Sequence, residues 1–247
     1  MLVSASSLKK MLFLDIETVS SFATFEELTP TFQSLWEVKS NTLQKNTEEP
    51  LSPAALYEKK AGIFAEFAKI VCISVGYLHF EGNEVTKCKI KSFSGDDEKT
   101  ILADFAGLLD THYTNPEKDG LCGHNIKEFD IPFICRRMVI HKIKLPVLLD
   151  ISGKKPWQTQ HLWDTMDMWR FGDYKNYTSL SLLAASLHIE TPKDDIDGSM
   201  VGQVYWKDRD VNRISTYCQK DVLAVAQIML AFAGMDILSP EQVEFSS

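Results

Sequence analysis

Hydrophobic and polar positions along the first half of the chain predict three strands. Residues 11–17 begin with the run Met-Leu-Phe-Leu, which has the length and apolarity of a strand buried on both faces. Residues 69–80 and 85–93 are rich in Val, Ile and aromatic side chains, and Glu81-Gly82-Asn83 between them is typical of a hairpin turn. We therefore expect the second and third strands to pair antiparallel.

The third predicted strand carries lysines at alternate positions, Lys87, Lys89 and Lys91. Alternating lysines protect an exposed sheet edge from pairing with a further strand. We therefore expect this strand to form an edge of the sheet. Two more short strands are predicted, at 121–122 and at 161–163.

Apolar residues at helical spacing predict four helices in the chain after the third strand. They are expected at 96–112, from a turn at 123–125 to residue 139, at 180–187 and at 208–232. The buried stripe of the last helix is expected to consist of Val211, Ile214, Cys218, Val222, Val225, Met229 and Phe232.

Residues 20–66 differ from this pattern and are predicted to be a helical insertion after the first strand. A polar stretch at 40–50 separates two helix-like segments, and Ser52-Pro53 is a typical helix start, with serine as the N-cap and proline at the first helical position. Aromatic and aliphatic residues of the first segment are expected to pack against the domain, with stacking on nucleic-acid bases as the alternative: Phe32, Leu35 and Trp36.

Length and composition favour a single elaborated α/β domain over residues 1–247. The chain has 247 residues and is 45% hydrophobic, which is enough to bury a full core. No apolar run approaches the roughly 20 residues of a membrane span, and the N-terminal segment lacks the apolar region of a secretory signal. Five cysteines form no C-x-x-C pair. We therefore expect reduced thiols and a cytoplasmic protein that does not contact a membrane.

The formal net charge of −8 is unusual for a protein that binds nucleic acid. Four of these charges belong to carboxylates discussed below, and two divalent cations there would leave about −4. A basic group in the second half is equally well explained as a strip that contacts phosphates or as a solvated surface: Arg136, Arg137, His141, Lys142, Lys144, Lys154 and Lys155.

Four carboxylates and one tyrosine lie in three short motifs. Asp15 and Glu17 are two apart in the first predicted strand, so both side chains point to one side of the sheet. Tyr217 and Asp221 are four apart on the last predicted helix and share a face beside its apolar stripe. Asp130 lies among apolar residues of a third helix. Because an unpaired carboxylate in such surroundings is strongly disfavoured, we expect these acids to converge on metal.

Oxygen ligands of this kind favour Mg²⁺ or Mn²⁺ over zinc. Two such ions roughly 3.5 to 4 Å apart would clamp a scissile phosphate, one activating the attacking water and the other stabilising the leaving oxygen. Tyr217, with an ordinary pKa near 10, is expected first to orient that water, or to accept its proton. The motifs therefore predict a two-metal, phosphodiester-cleaving site.

The order of these motifs resembles a known enzyme family. Asp15-Ile-Glu17, the segment from Asn125 to Asp130, and Tyr217-x-x-x-Asp221 resemble the three exonuclease motifs of the DEDD 3'-5' exonucleases, within the ribonuclease H-like superfamily. The tyrosine resembles the DEDDy branch, and the histidine branch is disfavoured because Thr216 lies five residues before Asp221. The likeness is greatest to stand-alone predicted exonucleases related to the proofreading domain of family B DNA polymerases.

This resemblance implies a ribonuclease H-like α/β fold, with a mixed, mostly parallel central sheet of about five strands flanked by helices and the first strand central. It also implies roles for the motif residues. Asp15, Glu17 and Asp221 would ligate the catalytic ion, and Asp15 would bridge to the second. Asp130 would act through metal-bound water, and Tyr217 would position the nucleophile.

Contacts with the substrate are expected around the first two motifs. In the Gly123-His124-Asn125 turn, Asn125 and, less strongly, His124 are candidates to contact the terminal nucleotide, although such a turn needs no ligand to form. We include three neighbours in the predicted substrate-binding set: Ile16, Thr18 and Phe129. Asp164 either supports this site or caps the helix that follows it, and the cap is favoured.

The sequence therefore predicts a 3'-5' exonuclease that removes nucleoside 5'-monophosphates from the 3' end of single-stranded DNA with two Mg²⁺ or Mn²⁺ ions. An exoribonuclease with the same chemistry is one alternative, because contacts to the 2'-OH are not visible in a sequence. A catalytically inactive nucleic-acid-binding module is another. No polymerase domain fits in this length, so proofreading would require a polymerase or repair protein as a partner.

Overall fold

The computed structural model describes residues 3–175, 177–190 and 196–246. Over these ranges a six-stranded sheet has the order β5-β4-β1-β2-β3-β6. Its strands are β1 (Met11–Ser20), β2 (Ala68–Glu81), β3 (Glu84–Ser94), β4 (Gly120–Gly123), β5 (Leu162–Asp164) and β6 (Val243–Ser246).

The sheet is mixed and mostly parallel. β2 pairs antiparallel with β1 and with β3, whereas the β1–β4, β4–β5 and β3–β6 pairs are parallel. β2 is therefore the strand that runs against the others, and β1 lies inside the sheet. These features confirm the predicted mixed α/β fold, although the count of about five strands omitted β6.

Helices flank the sheet on both faces. They are α1 (Ala5–Leu8), α2 (Pro30–Leu43), α3 (Pro53–Lys60), α4 (Glu98–His112), α5 (Asp130–Ile140), α6 (Thr165–Arg170), α7 (Leu180–Ser186), α8 (Val201–Gln203) and α9 (Val211–Phe232). The predicted helices correspond to α4, α5, α7 and α9, and α9 starts where the side chain of Asp210 accepts the N–H of Arg213. None of the described helices is long and apolar enough to cross a membrane.

The alternation of β1 decides which helix faces which side chain. Leu12, Leu14 and Ile16 pack in a core with residues of α4 and α5. Met11 and Phe13 pack instead in a core with residues of α9. Because side chains two apart in a strand point the same way, Asp15 and Glu17 continue the row that faces α9. The sheet register therefore directs the first acidic motif toward the helix that carries the third.

The β2–β3 hairpin turns at Gly82 and Asn83, as predicted. Gly82 has a φ of +61°, a conformation that glycine adopts without a steric penalty and that two-residue hairpin turns require.

The prediction that β3 is a sheet edge is wrong. β6 pairs with β3, and Glu244 on β6 lies 2.8 Å from Lys87 Nζ and 3.6 Å from Lys89 Nζ. Two of the three alternating lysines, Lys87 and Lys89, are therefore ion-pair partners of the one acidic residue of β6.

Residues 20–66, the segment predicted to be an insertion, contribute most of a small core of their own. Ser52 caps α3 as predicted, since its hydroxyl accepts the N–H of Ala55 over 3.2 Å. Trp36 is fully buried against Tyr57 and donates its indole N–H to the carbonyl of Pro53, which confirms that it packs and does not stack on bases. Phe32 is 40% exposed and its ring packs edge-to-face on that of Phe67, with centroids 5.8 Å apart, which confirms that it packs, whereas Leu35 is 54% exposed.

Part of the predicted basic strip is buried. Arg137 donates two hydrogen bonds to the carboxylate of Glu98 and a third to the carbonyl of Ala65. His141 lies 2.7 Å from the same carboxylate. Both alternatives, the phosphate-contacting strip and the solvated surface, are therefore wrong for Arg137, which is 8% exposed and joins α5 to the start of α4 together with His141.

Candidate active site

Asp15 and Glu17 occupy the second half of β1, on the side that faces α9. Asp15 is opposite Ser74 of β2, Glu17 is opposite Cys72, and the register shifts immediately after Glu17. Glu17 is 8% exposed. Burial, followed by the negative charge of Asp221, raises the pKa of both carboxyl groups well above their usual range.

Asp130 reaches the same place from α5, of which it is the first residue. It is 4% exposed, and its carboxyl group accepts the backbone N–H of Ile16, which lies between the two β1 acids. Burial raises the pKa of Asp130 to about 7, and the charges of Asp164 and Asp221 act in the same direction. The second motif is thus attached directly to the first.

Tyr217 and Asp221 lie one turn apart on α9, and the carboxylate of Asp221 is close enough to the phenol to act on its pKa. Burial raises the pKa of Tyr217, and the charges of Asp221, Glu17 and Asp15 raise it further. The hydroxyl group therefore stays protonated at neutral pH and can donate a hydrogen bond. A protonated hydroxyl can orient a neighbouring group by donating a hydrogen bond, but it cannot remove a proton. Tyr217 is therefore better suited to orientation than to general-base catalysis.

The five residues of the three motifs are therefore close enough to shift one another's pKa values electrostatically. Asp130 and Asp221 both raise the pKa of Asp15 and that of Glu17, and Asp221 raises the pKa of Asp130. The structure brings these acids together from β1, α5 and α9, as the motif order implied. Their individual catalytic and metal-binding roles stay predictions.

The donor set at this place fits divalent cations. Among the ion pairs of the described residues, none includes Asp15, Glu17 or Asp130. Buried carboxylates that repel one another and lack a basic partner require a cation when they are ionised. Carboxylate oxygens are the ligands that Mg²⁺ and Mn²⁺ prefer.

Cys218 adds a sulfur atom to this group. Its thiol lies 3.3 Å from Asp15 Oδ2 and 3.4 Å from the main-chain oxygen of Asp15. One ligand atom each of Asp15, Glu17 and Cys218 lies within 4.8 Å of the other two. The sequence predicted that Cys218 is buried in the α9 stripe, which is confirmed, but not that its thiol faces the carboxylates.

Asp164 supports the turn before Asp130. Its Oδ1 accepts the N–H groups of Asn125 and Met166, both over 3.0 Å, and its Oδ2 accepts the N–H of Lys127 over 3.2 Å. Asp164 is therefore the N-cap of α6, as favoured from the sequence, and it also holds the second motif. Support of this motif, the alternative considered from the sequence, therefore accompanies the cap, but the sequence could not identify the partners because they are about 40 residues apart.

His124 is held by the protein through both ring nitrogens. Nδ1 lies 2.9 Å from Thr165 Oγ1, and Nε2 lies 2.8 Å from the carbonyl oxygen of Thr178. Burial lowers the pKa of the imidazole. A hydrogen bond from His124 to a substrate would have to replace one of these contacts.

The other predicted substrate residues lie around the acids. Asn125 has a φ of +60°, and its Oδ1 is buried with no hydrogen-bond partner among the described residues. Thr18 donates its hydroxyl to the carbonyl of Gly62 over 2.7 Å, and the ring of Phe129 packs 5.5 Å from that of Phe133. The side chain of Ile16 is buried. Substrate contact by any of these residues stays a prediction, and Asn125 has the free acceptor.

Comparison with known families decides the relationship of this chain. A family described as predicted 3'-5' exonucleases related to the exonuclease domain of PolB matches residues 63–241. The chain belongs to this family. The match contains Asp130, Tyr217 and Asp221, whereas Asp15 and Glu17 precede it and join the site through the fold. The mixed sheet flanked by helices agrees with the ribonuclease H-like fold class predicted for such exonucleases.

Solved structures similar to this chain include the family B DNA polymerase from the hyperthermophilic archaeon Pyrobaculum calidifontis. The two are 15% identical with a TM-score of 0.46, over 90% of this chain and 24% of the polymerase chain. The chain thus spans about a quarter of the length of that polymerase chain. The comparison with curated proteins found no match.

Proposed function

We propose that this exonuclease-family protein hydrolyses the last phosphodiester bond at the 3' end of single-stranded DNA and releases nucleoside 5'-monophosphates, using two divalent cations. The observation that carries the proposal is the meeting of Asp15, Glu17, Asp130 and Asp221 beside Tyr217. Three separate elements contribute these side chains, and a purely structural role would not require two buried and two half-buried acids in one place.

The carboxylates are assigned to the cations. Asp15, Glu17 and Asp221 would hold the catalytic ion, with Asp15 shared between the two positions and Asp130 supporting the second. When bound, Mg²⁺ or Mn²⁺ supplies charge for the scissile phosphate and lowers the pKa of the attacking water. The protein's own contribution is to keep the carboxylates in place, and the Cys218 thiol, 3.3 Å from Asp15 Oδ2, donates a hydrogen bond to one of them.

Tyr217 is assigned to the position of the attacking water. Its protonated hydroxyl lies close to Asp221, so it stands at the proposed ligand set and can donate a hydrogen bond to a water molecule there. Asn125 is assigned to contact the terminal nucleotide. Its buried Oδ1 has no hydrogen-bond partner among the described residues and can accept a hydrogen bond from the substrate.

DNA is assigned as the substrate from the relationship of the family to a DNA polymerase exonuclease domain. The test is parallel digestion of DNA and RNA oligonucleotides of one sequence, each labelled at the 5' end, by the wild-type protein and by Tyr217→Phe. We expect faster shortening of DNA and nucleoside 5'-monophosphates as products. Faster digestion of RNA would assign an exoribonuclease, and binding without digestion of either would assign an inactive module.

A further inference from the structure

We infer that Cys218, Asp15 and Glu17 form a binding site for a thiophilic divalent cation, of the class of Zn²⁺ and Cd²⁺. Such an ion would compete with Mg²⁺ or Mn²⁺ for the two carboxylates, and only this competition rests on the proposed function. The site itself rests on the positions of one sulfur atom and two carboxyl groups.

The spacing of these atoms suits a tetrahedral ion. Zinc lies about 2.3 Å from a cysteine sulfur and about 2.0 Å from a carboxylate oxygen, so the two ligands of a tetrahedral site are roughly 3.5 Å apart. Cys218 Sγ and Asp15 Oδ2 are 3.3 Å apart. The Glu17 oxygen lies within 4.8 Å of both, so a small rotation of the Glu17 side chain completes three ligands.

The direction of the Cys218 side chain supports a ligand role. A buried cysteine that only fills the core packs its sulfur against apolar groups. Cys218 packs in the core beside Cys72 and Ile214, but its sulfur also lies 3.3 Å from Asp15 Oδ2 and 3.4 Å from the main-chain oxygen of Asp15. The sulfur is thus already directed at the position between the acids.

Sulfur changes which ions the place prefers. Thiolate ligands select zinc and other soft ions, whereas Mg²⁺ takes oxygen ligands. Binding would form a sulfur–metal bond and release the thiol proton to solvent. Because Asp15 and Glu17 would then be ligands of the thiophilic ion, they could no longer bind Mg²⁺ or Mn²⁺. Zn²⁺ or Cd²⁺ would therefore inhibit exonuclease activity.

The test is titration of the metal-free, full-length protein with CdCl₂, followed by the ultraviolet charge-transfer band of a Cd²⁺–thiolate bond. We expect a band that saturates at one ion per chain. Cys218→Ser should remove the band, and Asp15→Asn should lower the affinity for Cd²⁺ at least about tenfold. The matched control is Cys135→Ser, because that thiol lies on α5 and contacts the carbonyl of Leu149. It should keep the wild-type band and affinity.

Two results would overturn the inference: a Cys218→Ser protein with the wild-type band, or an Asp15→Asn protein with unchanged affinity for Cd²⁺. Circular dichroism checks that each variant is folded. If Cys218→Ser fails to fold, the inference is tested by adding excess Mn²⁺ to the wild-type protein. Mn²⁺ should suppress the Cd²⁺–thiolate band, and an unaffected band would contradict a site shared by the two ions. Exonuclease activity without a Cys218-dependent band refutes this inference alone, whereas the band without activity refutes the proposed function alone.

Discussion

The carboxylate of Asp164 accepts the backbone N–H of Asn125 over 3.0 Å, and so joins the start of α6 to the turn that carries the second motif. The same carboxylate accepts the N–H of Lys127 and caps α6. Asp164 is 2% exposed, so water cannot replace these bonds without local opening. One buried side chain thereby fixes the turn from which Asp130 enters the candidate site.

We predict that Asp164→Ala lowers both stability and exonuclease activity. The substitution removes a helix cap and leaves the part-buried N–H groups of Asn125 and Lys127 without their acceptor, at a cost of about 2 to 3 kcal/mol in the free energy of unfolding. Urea unfolding measures this change. Asp110→Ala, which removes an exposed acid on α4, should stay within about 0.5 kcal/mol of the wild type. Equal effects of the two substitutions would refute the role of Asp164.

Tyr217→Phe should reduce the rate of the chemical step about 100-fold, because it removes the hydroxyl that orients the attacking water. Stability should change by less than about 1 kcal/mol, since the ring is kept. Single-turnover digestion of labelled DNA measures the rate. Tyr174→Phe is the matched control, because Tyr174 is 79% exposed, and it should digest DNA at the wild-type rate. A Tyr217→Phe protein with an unchanged rate would exclude the assigned role.

The metal-free protein should become less stable as the pH rises toward about 7. Burial raises the pKa of Asp130 to about 7 in the folded state, against about 3.9 in an unfolded chain. Between these values the folded state keeps a proton that the unfolded state has released, so the free energy of unfolding falls as the pH rises. The raised pKa values of Asp15 and Glu17 act in the same direction.

Thermal unfolding in a chelator at about pH 6 and about pH 8 tests this dependence, with the lower melting temperature expected at the higher pH. Mn²⁺ should restore more stability at the higher pH, because it binds the ionised carboxylates. Asp130→Asn should weaken the pH dependence, since the amide does not titrate. A metal-free wild-type protein whose stability is constant or increases over this interval would contradict the arrangement of buried acids.

Arg137→Met should lower the free energy of unfolding by about 3 to 5 kcal/mol, because the buried carboxylate of Glu98 loses its charged partner. Chemical denaturation measures the loss. The neighbouring Arg136 is exposed on the same helix, and Arg136→Met should change stability by less than about 0.5 kcal/mol. A mild effect of Arg137→Met would show that the ion pair contributes little.

The parts of the site that depend on one element were predictable from the sequence. The common direction of Asp15 and Glu17 follows from the alternation of a strand, and the shared face of Tyr217 and Asp221 follows from the helical repeat. Each of these two patterns involves residues that are only two or four positions apart in the sequence. The order of the three motifs supplied the link between the elements, because it resembles that of a known family.

Contacts between distant segments were not predictable in this way. β6 is a strand of four residues, and Glu244 pairs with Lys87 across more than 150 residues of sequence. The amphipathic stripe of α9 predicted that Cys218 is buried but could not specify which neighbour its thiol meets. The ion pair between Glu98 and Arg137 likewise joins two helices whose packing no local pattern determines.

Digestion of single-stranded DNA labelled at the 5' end, by the wild-type protein and by Asp15→Ala, tests the central claim most directly. With Mg²⁺ or Mn²⁺ the wild-type protein should give a ladder that shortens by one nucleotide at a time from the 3' end, and a chelator should abolish it. Folded Asp15→Ala should give no ladder. Full activity of Asp15→Ala, or internal cuts in place of the ladder, would contradict a 3'-5' exonuclease site built on these acids.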